Sequence, residues 1–448
     1  MEMRASEVAG VVGGELFGRD TTIEGAVIDS RLVRGSELFV PIVAERDGHD
    51  YIGAAVAAGA AAYLTSGPIE SATAVHVGNT GEALLALGRH ARTKMADRVV
   101  GITGSVGKTS TKDLLAHVLG RTYRTAASER SFNNELGVPL TLINAPDGTE
   151  AMVVEMGARG LGHIALLCDV AKPTVGIVTV VAGAHLELFG SLADVAEAKG
   201  ELVASLPPDG CAVLNAEDAR VAAMADRTKA QVLTFGRASG EVRAEDITVD
   251  GGLRPSFRLQ SPWGAGEVRL RARGAHQVIN ALAAAAAAFA MDVPLDAVLG
   301  GLAAAEVSDL RMELATGHRG VRVLNDAYNA NPTSMAAALD ALASLAAERR
   351  IAVLGTMAEL GPTAAAEHAV IARQAAEHGI RLVTIAEPSY GIEGSDAVGS
   401  IDEAVERLGA LGRGDAVLVK ASRVVGLERL AARLLAGPPA QATANSTQ

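Results

Sequence analysis

Cysteine is almost missing. Cys168 and Cys211 are the only two in 448 residues. They form no metal-ligand spacing, imply a reducing compartment, and are expected in the core. Aromatic residues make up only 3% of the chain while alanine is abundant, so cores built from Ala, Val and Leu are expected. No basic block offsets the formal net charge of −12, which argues against a nucleic-acid binder. A local loop can still hold an anion. Long apolar runs are also missing. The Ala-rich run at 281–290 is too short and too weakly apolar to span a membrane. Residues 1–15 lack a charged start followed by an apolar stretch, so no signal peptide is read. A soluble cytoplasmic protein follows as the expectation. Its hydrophobic content of 49% is ample for the two or three domains that this length implies.

One stretch organises what is present: Arg98-Val-Val-Gly-Ile-Thr-Gly-Ser-Val-Gly-Lys108-Thr-Ser-Thr-Lys112. Residues 99–103 read as a buried strand, 104–107 as a glycine loop, and 108–119 as a helix. Strand, loop and helix in this order cradle phosphate, because backbone N–H groups and the helix N-terminus both face the anion. Gly104 and Gly107 allow positive-φ turns and close backbone approach. Lys108 is placed to reach β- and γ-phosphates, and the Thr109 hydroxyl to hold Mg²⁺. Ile102 stands where the strict phosphate-loop pattern has glycine. The glycines alone would mark only a strand–helix turn; Lys108-Thr109 makes the phosphate reading the better one.

The fold class read from the chain is α/β in three domains. Residues 1–97 read as a small α/β module, with short strands near 27–28, 38–40 and 61–64 and helices at 51–59 and 80–95. Residues 98–308 alternate strands (99–103, 151–155, 175–180, 212–214) with helices, as a mostly parallel sheet requires. Within it, 237–273 reads as an antiparallel patch and 277–291 as a buried helix. Residues 309–437 restart the alternation as a Rossmann-like domain, with strands at 321–325, 351–355, 382–385 and 416–420. The tail 438–448 has too little apolar content to fold, and disorder is expected there.

Polar groups gather after the apolar strands, where α/β sheets place ligands. Glu155 ends one strand and suits Mg²⁺, although a surface Glu at a strand end is common. His185 follows another, and Lys199 lies a helix later; a lone His is more often structural and a lone Lys more often solvated. If Lys199 is partly desolvated, its lowered pKa would let it add CO₂ and become a carbamate. Asn133 and Asn134 sit in a polar loop that could equally be a cap. His276 and Asn280 are four apart on a helix start, suited to a purine edge, to phosphate, or to capping alone. Asp326, Tyr328 and Asn329 exceed what a turn needs. Lys420, Ser422 and Arg423 suit a carboxylate or phosphate.

Taken together, these pieces resemble the ATP-dependent Mur ligases over nearly the whole chain. The resemblance runs from Asp29-Ser-Arg31 and Asp47-Gly-His49 through the phosphate loop, Glu155-Met-Gly, Ala184-His185-Leu and Ala198-Lys199-Gly-Glu. It continues through His276–Asn280 and Asp326-Ala-Tyr-Asn-Ala-Asn-Pro to Lys420–Arg423. Within it, Tyr328-Asn-Ala-Asn-Pro332 and Leu354-Gly-Thr-Met-Ala-Glu-Leu-Gly361 are most similar to the branch that adds D-alanyl-D-alanine. Val180, Leu310, Gln277 and Ala421 depart from the usual residues. The resemblance implies that Ser30, Arg31, Asp47, Gly48 and His49, with Asn133 and Asn134, serve the UDP-N-acetylmuramoyl-tripeptide. It implies that Gly104, Ser105, Val106, Gly107, Lys108, Thr109, Ser110, Asn280, Arg311, Asp326, Tyr328 and Asn329 serve ATP, with Asn280 at the adenine. Thr109, Glu155, His185 and a carbamylated Lys199 would hold Mg²⁺. A monomer is expected. A ligase using another amine acceptor, as folylpolyglutamate-type enzymes do, and a non-catalytic nucleotide binder are the competing readings.

Overall fold

The computed structural model describes residues 2–69, 72–129, 132–183, 186–391 and 396–437. The expected tail and His185 lie outside them. Three α/β units follow one another. Among the described residues no helix is long and apolar enough to cross a membrane.

The central unit holds a nine-stranded sheet. From one edge the strands run Thr125–Ala127, Ala151–Glu155, Val99–Thr103, Val175–Val178, Cys211–Asn215, Gln231–Gly236, Val242–Val249, Pro255–Ser261 and Gly264–Arg269. The first seven are parallel, and the last two are joined on by antiparallel pairs. The antiparallel patch expected from 237–273 is thus the far end of one continuous sheet. Val99–Thr103, Ala151–Glu155 and Val175–Val178 are buried throughout. Helices cover both faces, so these strands are runs of Val, Ile and Met rather than alternating. Val99–Thr103 comes first in this run of the chain yet lies between Ala151–Glu155 and Val175–Val178. The direction of winding reverses at its carboxyl end, where such sheets open a crevice. The helices Lys108–Leu119 and Gln277–Phe289 pack on one face. The second is buried almost throughout, and its alanines let the axes approach closely.

The N-terminal unit has a five-stranded sheet in the order Glu15–Phe17, Ala74–His76, Ala62–Thr65, Leu38–Phe39, Ala26–Val27, with only the first pair antiparallel. Glu2–Arg4 and Thr22–Glu24 add a two-stranded ribbon. These short strands carry too few residues for a legible period, and several escape the sequence reading. The core of this unit continues into the central one across the expected boundary near residue 97. Asn144 takes the place of a missing strand neighbour: its Oδ1 accepts from Ala26 N–H at 2.8 Å and its Nδ2 donates to Ala26 C=O at 2.9 Å.

The C-terminal sheet runs Glu313–Thr316, Arg322–Asn325, Asp415–Lys420, Arg349–Leu354, Arg381–Ile385, Ala397–Val398. All pairs are parallel except the first. Lys420, which ends one of these strands, and Asp326, just beyond another, face the crevice of the central sheet. Cys168 and Cys211 are both buried and unpaired, and burial pushes their thiols up to about 12 and about 11. They are inert core residues, as composition suggested.

Candidate active site

The phosphate loop is built as its residues demand. Gly104 has φ +147° and Gly107 φ +88°. A Cβ on Gly104 would lie 1.8 Å from Thr179 Oγ1, and one on Gly107 would lie 2.4 Å from Asn280 Oδ1. Only glycine fits either place. The helix Lys108–Leu119 begins at Gly107 with no side chain capping it. Its first N–H groups are therefore available to an anion. The loop is braced from the next strand end. Ser105 Oγ donates to Ala182 C=O at 2.8 Å and accepts from Ala182 N–H at 2.9 Å. Thr179 Oγ1 donates to Val106 C=O at 2.6 Å.

A cleft of about 520 Å³ opens above the loop, walled by the central unit on one side and the C-terminal unit on the other. It brings together Ser105, Val106, Gly107, Lys108, Thr109, Ser110, Asn133, Glu155, Asn280, Arg311, Asp326, Tyr328 and Asn329, all singled out from sequence. Lys108 Nζ donates to Gly104 C=O at 2.7 Å. Its crowded surroundings push the ammonium's pKa down; nearby Glu155 opposes this and Arg311 adds to it.

Glu155 is buried, with Oε1 accepting from Asn133 Nδ2 at 2.9 Å and its N–H donating to Ser128 Oγ at 3.2 Å. Its other oxygen, Oε2, is buried with no hydrogen-bond partner among the described residues. A buried carboxylate oxygen left open is costly unless a cation or donor completes it. The hard-oxygen set of Glu155 and Thr109 fits Mg²⁺, which prefers such ligands together with waters and phosphates. Lys199 does not line the cleft. It is buried on the helix Leu192–Ala204, close enough to feel Lys108. Burial first, and Lys108 second, lower its pKa to about 7. Among the described residues no three His, Cys, Asp or Glu side chains converge as a metal cage.

On the opposite wall, Lys420 Nζ meets Asp326 Oδ2 at 2.5 Å and donates to Asn329 C=O at 2.8 Å. Lys420 is only 2% exposed. Burial lowers its pKa and Asp326 opposes the shift. The Arg311 guanidinium stacks on Tyr328, 4.3 Å from the ring centroid. His276 is held towards the neutral form chiefly by burial. Replacing Lys420 with methionine is expected to destabilise the C-terminal unit by about 3–5 kcal/mol, because Asp326 would stay buried and unpaired. Urea unfolding checks this. A loss below about 1 kcal/mol would mean that the pair carries no such weight.

Some expected residues lie elsewhere. Asn134 Oδ1 accepts from Gly137 N–H at 2.9 Å, at the start of the helix Gly137–Ile143. Ser30, Arg31, Asp47, Gly48 and His49 lie on two turns in the N-terminal unit, after the strands Ala26–Val27 and Leu38–Phe39. Asp29 grips Arg31, and Asp47 Oδ1 holds the His49 ring at 2.6 Å. Neither turn lines the cleft. The sequence reading missed Thr179, Asn215, Glu217, Phe235 and Arg237, which wall one end of it. Their only signal was position, at or just beyond the carboxyl ends of parallel strands. Asn280 stands beside Gly107, and its Nδ2 donates to Gln277 Oε1 at 2.9 Å.

Residues 102–288 match the Mur ligase middle domain, and residues 310–423 match the Mur ligase glutamate ligase domain. The UDP-N-acetylmuramoyl-tripeptide–D-alanyl-D-alanine ligase of Mycobacterium tuberculosis is 39% identical across 97% of this chain and 98% of its own length. The chain belongs to the Mur ligase family. Two solved members of the family share its architecture. MurF from Acinetobacter baumannii superposes with a TM-score of 0.89 at 29% identity, covering 97% of this chain and 99% of that one. MurF from Thermotoga maritima, solved with ADP, has a TM-score of 0.80 at 27% identity over 91% and 96%. The three-unit α/β order is the family's own arrangement.

Proposed function

We propose that this chain is the ADP-forming ligase that joins D-alanyl-D-alanine to UDP-N-acetylmuramoyl-tripeptide in peptidoglycan synthesis. The observation that carries the reading is the single cleft in which the phosphate loop, Glu155 and the Asp326–Asn329 turn meet, in a chain similar to such ligases along almost all of its length. A cytoplasmic reaction, supplied there with ATP, belongs to this reading.

A carboxylate resists attack by an amine because no oxygen on it can leave. Transfer of the γ-phosphoryl group to the tripeptide's free carboxylate makes an acyl phosphate and releases ADP. The dipeptide amine then adds to that carbonyl, the C–O bond to phosphate breaks, and an amide forms. The chain's part is to align and to neutralise. The loop N–H groups and Lys108 hold the phosphates. Thr109 and Glu155 are the residues that would hold Mg²⁺, which supplies positive charge against the phosphoryl oxygens. Asn133 orients Glu155. Lys199, with its amine near neutrality, is suited to take up CO₂ as a carbamate and become a further oxygen ligand; the resemblance adds His185 to this set. Arg311, Asp326, Tyr328 and Asn329 close the nucleotide from the C-terminal unit, which also brings the dipeptide. Excluding water there protects the acyl phosphate from hydrolysis. The two turns at Ser30-Arg31 and Asp47–His49 take the UDP-sugar end.

A phosphate-release assay tests the reading. Release is expected only when UDP-N-acetylmuramoyl-tripeptide, D-alanyl-D-alanine and ATP are all present, and a mass increase of the nucleotide-sugar product should accompany it. Equal or faster release with another amine, at matched concentration, would replace the acceptor named here.

A further inference from the structure

The segment joining the central and C-terminal units is fastened at both ends and strained between them. At its start, Ser308 donates from both N–H and Oγ to a single oxygen, Asp113 Oδ2, at 2.8 and 2.7 Å. Asp113 lies on the helix Lys108–Leu119, one turn beyond Thr109, with its side chain 12% exposed and its other oxygen 3.0 Å from Lys112 Nζ. At the far end, Met312 N–H donates to Asp326 Oδ1 at 3.1 Å, and Leu310 C=O accepts from Tyr328 N–H at 3.3 Å. Between these ties Leu310 has φ +60° and Met312 φ +53°. A left-handed non-glycine residue is strained and persists only where its surroundings impose it. Arg311 stands between them. Its guanidinium lies over Tyr328 in the cleft wall, and its Nε is buried without a hydrogen-bond partner among the described residues.

We propose that Asp113 is a positioning residue: by clasping Ser308 it holds the linker in its left-handed form and so keeps Arg311 facing the nucleotide. Lys108, Thr109 and Asp113 share one rigid helix. The clasp therefore sets Arg311 relative to the phosphate-binding groups directly, as well as through the C-terminal sheet. Without it, the two strained residues relax towards ordinary φ values, and the peptide carrying Arg311 turns with them. The inference rests on Arg311 serving ATP, as read above.

Full-length variants test it through phosphate release, calorimetric ATP affinity and thermal unfolding. Asp113→Ala should weaken ATP affinity and lower kcat/KM for ATP by about ten-fold, and Ser308→Ala should move both the same way by less. Leu310→Gly alone should stay within about two-fold of the parent. Added to Asp113→Ala, it should restore at least about three-fold, because glycine adopts positive φ without the clasp. A merely structural role for Asp113 would gain nothing from that glycine. Asp113→Ala within about two-fold of the parent, or a double variant no better than Asp113→Ala, overturns the proposal. If Asp113→Ala does not fold, Ser308→Ala with and without Leu310→Gly makes the same comparison. A parent chain that releases no phosphate would instead defeat the functional reading, and ATP affinity would still report on the clasp.

Discussion

Replacing Lys108 with alanine is expected to lower kcat by about 10²–10³-fold and to raise the KM for ATP. Lys108 opens the helix that begins the phosphate site, and its Nζ is already fixed by Gly104 C=O at 2.7 Å. Its charge sits where negative charge shifts during phosphoryl transfer, in a site shielded from water, where such an interaction is strong. Its lowered pKa fits the same picture. Glu155 offsets only part of what burial costs this ammonium, and the phosphates of bound ATP would offset more. Arginine should rescue little. Its planar fork is larger than an ammonium and delivers its charge with a different reach and geometry. Steady-state phosphate release checks this. Activity near that of the parent in Lys108→Ala would remove Lys108 from the reaction.

The second large effect concerns Lys199. Its replacement by alanine should lower activity by at least about 10²-fold, in the range seen when a group that tunes or ligates a catalytic metal is lost. If a carbamate is the required ligand, acetate or formate should restore part of the rate. A fully active Lys199→Ala would exclude the role. The pH dependence has a definite sign. With a pKa of about 7 in the folded chain, the amine is protonated below that value and cannot add CO₂. Activity should therefore fall as pH drops through 7, and added bicarbonate should oppose the fall. Stability follows the same shift. The unfolded chain keeps the ordinary lysine pKa near 10.5, so between pH 7 and 10 it binds more protons than the folded chain does. Stability contributed at this site then rises with pH across that window. Lys199→Met, which has nothing to protonate, should flatten the rise in urea titrations. An unchanged slope would show that Lys199 does not titrate there.

The central unit was the most legible part of the chain. Val99–Thr103, Ala151–Glu155 and Lys108–Leu119 fall at the expected residues. Buried parallel strands are continuous apolar runs, and the glycine loop marks the helix start without ambiguity. The short strands Glu15–Phe17, Ala74–His76 and Glu313–Thr316 were missed because three or four residues carry no period. Part of the cleft wall was missed for another reason. Asn215, Glu217 and Arg237 are ordinary polar residues after ordinary strands, and only the sheet order brings them beside the phosphate loop.

The sequence by itself determined the phosphate cradle, the three-unit order and the family. Each depends on local rules: glycine where φ is positive, a cation and hydroxyl at a helix start, apolar runs where both faces are covered. The tertiary structure decided which polar groups act together. It left one oxygen of Glu155 open beside Lys108, buried Lys199 until its amine nears neutrality, and paired Lys420 with Asp326 across 94 residues of chain. It also fastened Ser308 to Asp113 across 195 residues. Charge, burial and strain at these places are set by neighbours distant in sequence, and that information exists only once the chain has folded.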